Sequence, residues 1–126
     1  MKMLFLAFFF LLSAVSVSAA GDITVEVAAV ATSIENLIPV GVAEKFSASA
    51  GKLYCYSKII GGKGQNIKHL WYLNDKKIGE TTLSIKSWSY RTYSVGTMPS
   101  HMKGNGRCDV VTEGGNVLKR VDFLIE

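Results

Sequence analysis

From Leu53 to Ile59 two kinds of side chain alternate without a break. Leu53, Cys55, Ser57 and Ile59 take one parity, and Tyr54, Tyr56 and Lys58 the other. A period of two sends alternate side chains to opposite faces of an extended chain, so this stretch reads as a strand with one face in a core. Ile23–Val27 repeats the alternation and runs on through 28–31, while Ile67–Leu73 is β-branched and aromatic. The segments 107–111 and 117–125 form a last pair. The best helix candidate is Ala28–Leu37, but Val30, Thr32 and Ile34 weaken it, and no window of twelve residues carries a helical stripe. About seven or eight short strands with turn signals between them predict an all-β fold, an antiparallel immunoglobulin-like β-sandwich.

The punctuation fits. Asn74-Asp75-Lys76-Lys77 and Glu113-Gly114-Gly115-Asn116 each separate two apolar runs and predict hairpins. Gly61-Gly62-Lys63-Gly64 predicts a loop, as does the segment 98–106 with Pro99 and two glycines. Pro39 argues against a central strand through Ile38–Val40.

The first twenty residues are of another kind. Lys2 precedes an unbroken apolar run, and small residues follow up to Ala20. This is the pattern of a secretory signal peptide, residues 1–20, with cleavage expected after Ala19 or Ala20. A single β-sandwich domain is expected over residues 21–126, with export to the periplasm or the extracellular space. No second apolar stretch approaches twenty residues, so no transmembrane segment is expected in the mature chain.

Cys55 and Cys108 are the only cysteines. An even count in an exported chain predicts one disulfide between them, and a pair of buried free thiols is the alternative. Trp71 falls between them in sequence, and the Cys…Trp…Cys order is that of a sandwich which packs a tryptophan on an inter-sheet disulfide. Trp71 is therefore the expected core anchor.

His69 shares a strand face with Trp71, so a structural histidine competes with a role in a polar binding site beside Arg91. His69 and His101 are too few and too badly spaced for a zinc site, so no metal is expected, and no cofactor. The segment from Lys86 to Tyr93 carries Trp88, Tyr90, Arg91 and Tyr93. Such rings, with hydroxyls and an arginine at the rim, suit a sugar-stacking or peptide-binding surface, and core packing is the competing reading. On a regular strand Trp88 and Tyr90 would share one side, with Arg91 and Tyr93 on the other.

Several short stretches resemble a bacterial family of small exported domains, domain of unknown function 2914. They are Pro39–Phe46, Leu53–Tyr56, His69-Leu70-Trp71-Tyr72, Tyr90-Arg91-Thr92-Tyr93-Ser94, Gly115–Leu118 and Asp122-Phe123. Together they span about Val25 to Ile125. The family tends to place a tryptophan just before Arg107, where this chain has Gly106. The resemblance implies a small exported β domain and no activity.

Charge is unevenly spread. Residues 58–107 hold nine Lys and Arg against Asp75 and Glu80, a net +7, whereas both flanking segments are acidic. A basic middle on an exported domain suits an anionic polysaccharide or another envelope component. No nucleic-acid recognition motif is present. The sequence shows no Gly-x-Ser-x-Gly, no His-Glu-x-x-His and no P-loop, so no catalytic residue is assigned. The expectation is a non-catalytic exported binding or accessory module with His69, Lys86, Trp88, Tyr90, Arg91 and Tyr93 as candidate binding residues. The alternative is an assembly subunit that contacts another exported protein through a sheet edge or an aromatic face.

Overall fold

A computed structural model of the protein describes residues 22–126, and the expected leader lies outside the described residues. Ten strands follow in order: β1 (Ile23–Ala31), β2 (Ser33–Glu35), β3 (Ile38–Val40), β4 (Lys45–Phe46), β5 (Lys52–Gly61), β6 (Asn66–Leu73), β7 (Lys76–Ser84), β8 (Ser89–Thr97), β9 (Gly104–Thr112) and β10 (Val117–Ile125). No helix occurs among the described residues. The helix candidate at Ala28–Leu37 is the end of β1 and a short hairpin, because the β-branched residues that weaken a helix there suit a pleated surface.

Two sheets carry the fold. One has three strands in the order β1-β5-β8, and the other five in the order β4-β10-β9-β6-β7. All pairings within them are antiparallel except the short parallel contact of β4 with β10. This is the expected immunoglobulin-like sandwich, with Cys55 on the central strand of one sheet and Cys108 on the central strand of the other. The strand count exceeds seven or eight because β2, β3 and β4 are only two or three residues long. Pro39 sits in β3, which pairs with β2 alone, so its missing N–H costs no central ladder.

The turns follow local chemistry. Asn74 and Asp75 both take positive φ, 53° and 65°, and join β6 to β7 in the mirror-image turn that matches strand twist. Asn36 and Leu37 do the same between β2 and β3, at 52° and 58°.

The inward parity of the long strands fills the space between the sheets. One apolar cluster gathers Val30, Phe46, Leu53, Trp71, Leu73, Met98, Phe123 and Ile125 around the two cysteines. A second gathers Ile59, Ile67, Ile85 and Val110. Gly106 faces the first cluster, where a Cβ would run into the Phe123 ring. The position before Arg107 is thus a core position here, not part of an aromatic surface.

Candidate functional site

Between the two apolar clusters runs a layer of polar side chains. β5 contributes Cys55 and Ser57, β6 contributes His69, β8 contributes Thr92 and Ser94, and β9 contributes Cys108; all six are buried. Strand register brings them together. Cys55 lies opposite Ser94 and Ser57 opposite Thr92 across β5 and β8, while Trp71 lies opposite Cys108 across β6 and β9. His69 reaches over from the five-stranded sheet and is hydrogen-bonded at both ring nitrogens. Nδ1 is 2.6 Å from Ser94 Oγ, and Nε2 is 2.9 Å from Ser57 Oγ. Trp71 Nε1 donates to Ser94 Oγ at 3.1 Å. Among the described residues no buried side-chain nitrogen or oxygen lacks a partner. A layer of this kind is held only because every member is satisfied.

The disulfide expected between Cys55 and Cys108 is not made; both are free, buried thiols. The sandwich does bring the two thiols together, with the His69 ring beside them. One imidazole nitrogen and the two sulfurs lie within 4.8 Å of one another. Burial opposes ionisation of Cys55, but hydrogen bonds from Cys108 and His69, with the His69 charge, outweigh it and draw its pKa down. Burial and the neighbouring Cys55 push Cys108 up.

The candidate surface of the sequence reading divides. His69 is fully buried and cannot line an exposed site, since its parity with Trp71 turns it into the core. It does not meet Arg91, which faces outward on β8. Tyr90 also turns inward, against the second apolar cluster. Trp88 precedes β8 rather than lying within it, so strand parity does not bind it, and it is 66% exposed. Arg91 and Tyr93 share the exposed side of β8, and Trp88 and Lys86 are exposed in the segment just before it.

That strand is an edge of the three-stranded sheet. On its outward face Arg91 lies directly opposite Lys58. Like charges directly opposite each other across a strand pair are destabilising. Lys58 is relieved by Glu26 at 2.9 Å, whereas Arg91 makes no ion pair among the described residues. Further along, the Tyr93 and Tyr54 rings meet with centroids 6.1 Å apart. On the other sheet Lys68 and Lys77 are paired with Glu80, and Arg107 with Asp75 and Asp109, while Lys76 makes no ion pair among the described residues. Arg91 on the edge strand and Lys86 before it are among the residues of the basic segment without an ion pair among the described residues. A hollow of about 320 Å³ lined in part by Lys52, Met98 and His101 lies at the other end of β8 and takes in none of the candidate residues.

Residues 64–125 match the model of a family described as protein of unknown function (DUF2914). The matched span holds β6 to β10 and both aromatic motifs of the resemblance, but not the stretches at Pro39–Phe46 and Leu53–Tyr56. No curated protein matches the chain.

Proposed function

Over residues 64–125 the chain belongs to the DUF2914 family, and we propose that it serves as a non-catalytic exported binding module for an anionic polysaccharide. Export rests on the leader pattern of residues 1–20. The observation that carries the binding reading is the outward face of β8. Arg91, opposite Lys58 and without a carboxylate of its own among the described residues, stands on the same strand face as the exposed Tyr93, three residues after the exposed Trp88. An arginine facing a lysine, with no carboxylate of its own, suits a site whose ligand brings negative charge. Exposed rings beside it give sugar faces a surface to stack on.

The test is retention on immobilised polygalacturonate or heparin. The protein should be held at low salt and released as salt screens the contact. Arg91→Ala and Trp88→Ala should each weaken retention by about threefold or more, the value of one exposed charge or ring contact. Absence of retention on either polymer at low salt would sink this reading.

The second reading rests on the same edge. β8 pairs only with β5, so its free side can accept a strand from another exported protein. Self-association in light scattering that a proline within β8 abolishes would favour it over polymer binding.

A further inference from the structure

We propose that Cys55, His69 and Cys108 form a binding site for one thiophilic metal ion, Zn(II) or Cu(I). The three side chains come from β5, β6 and β9, in two sheets, and converge at the centre of the sandwich. Their donor atoms already lie within 4.8 Å of one another. A metal bound at about 2.3 Å from sulfur and about 2.0 Å from nitrogen needs donors roughly 3.5–3.8 Å apart. Side-chain rotations that shift each donor by about 1 Å or less close that gap. The donor set, two thiols and an imidazole, is the one soft and borderline ions prefer over magnesium or calcium.

The surroundings suit an ion as well as the donors do. All three residues are 0% exposed, so no bulk water competes for the donors. His69 holds a serine at each ring nitrogen. When one nitrogen turns to the metal the other keeps its serine, and this second contact is what fixes the ring of a metal-bound histidine. Zn(II) with two thiolates is a neutral unit, which a dry interior tolerates. Cu(I) is satisfied by the three ligands alone. In either case two metal–sulfur bonds and one metal–nitrogen bond form. Whatever protons the two sulfurs and the ligating imidazole nitrogen carry leave to solvent as the metal takes their place.

The sequence conceals this site because histidine spacing links His69 only to His101. The register of β6 on β9 and the packing of β5 against them, not sequence distance, set His69 beside the cysteines.

The experiment uses the full chain, reduced and kept under anaerobic conditions, with each ion added both to folded protein and during refolding. Uptake is read by competition with a chromophoric chelator, zincon for Zn(II) and bicinchoninate for Cu(I), and the arm that wins identifies the ion. One equivalent should bind, release protons, raise the melting temperature and protect both thiols from alkylation. Thiolate-to-cobalt charge transfer with Co(II) should report sulfur ligation. His69→Gln and Cys108→Ser should abolish uptake, while Ser94→Ala should weaken it on the order of 10- to 100-fold, and His101→Ala should leave it intact. If the ligand variants fail to fold, proton release and alkylation protection in the unaltered chain decide the matter. The proposal is overturned if the reduced, folded chain retains neither ion against the chelators. It is equally overturned if uptake survives in His69→Gln, or if the chain carries a Cys55–Cys108 disulfide whose reduction leaves it unable to take up either ion.

Discussion

The indole of Trp71 lies across Gly96 of the opposite sheet, so close that a Cβ on that glycine would fall 2.5 Å from Trp71 Cδ2. Trp71 is fully buried and meets Phe123 edge-on at 6.2 Å, so the ring has no room to retreat. The glycine is there for a close approach of ring to backbone, not for an unusual φ.

Gly96→Ala should therefore destabilise the fold by about 1–3 kcal/mol through overpacking alone. Denaturant unfolding checks it, and a midpoint within error of the parent would contradict the packing account. Gly51→Ala is a useful contrast, because nothing lies within 4 Å of its Cβ position and the cost there comes from its positive φ of 76°.

The two serines beside His69 are not equivalent. Ser94 serves both His69 Nδ1 and Trp71 Nε1, whereas Ser57 serves His69 Nε2. Ser94→Ala strands two buried groups and should cost about 2–4 kcal/mol, against about 1–2 kcal/mol for Ser57→Ala. The double variant should fall short of the sum, since both act through one ring. Equal costs for the two single variants would show that the Trp71 contact contributes nothing.

Trp88 and Tyr90 separate in the same manner. Trp88→Ala removes a ring that is mostly in water and should leave stability within about 0.5 kcal/mol of the parent. Tyr90→Ala removes a ring packed on the second apolar cluster, opposite Ile59, and should cost about 2–4 kcal/mol. Paired thermal melts read both, and a reversed order would mean that the wrong ring has been assigned to the surface.

These pairs also show where the sequence is legible and where it is not. The alternation through Leu53–Ile59 predicts both faces of β5, because a regular strand has no other way to place its side chains. The turn at Asn74-Asp75 is legible because few residues tolerate two successive positive φ angles. Trp88 escapes the parity rule because β8 begins one residue later, at Ser89, and boundaries are the least predictable part of a strand. The β2–β3 hairpin is hidden because Leu37 is an unusual residue for its φ of 58°. The polar layer is hidden for a deeper reason. Alternation reveals that Ser57, His69 and Ser94 face inward, but only the register between strands reveals that they face one another.

The outer face of the five-stranded sheet offers a test in which charge and burial can be separated. The Asp109 carboxylate, 5% exposed, is bonded by Arg120 Nε at 3.0 Å and by Arg107 Nε at 3.3 Å. Arg107 has other support, with its guanidinium 4.0 Å over the Tyr72 ring and a contact to the exposed Asp75. Arg120 is half exposed, so its own pairing with Asp109 contributes little. The penalty of removing Asp109 should then come from the hole and from two guanidinium groups left facing each other, about 1–3 kcal/mol for Asp109→Ala. Arg120→Ala should cost less than about 1 kcal/mol. High salt sharpens the distinction. An exposed pair is screened, so the Arg120→Ala effect should shrink toward zero in 1 M sodium chloride. The Asp109→Ala effect should largely persist, because the carboxylate site is closed to counterions. If both effects vanish together in salt, Asp109 behaves as a surface charge and the buried geometry does not govern its energetics.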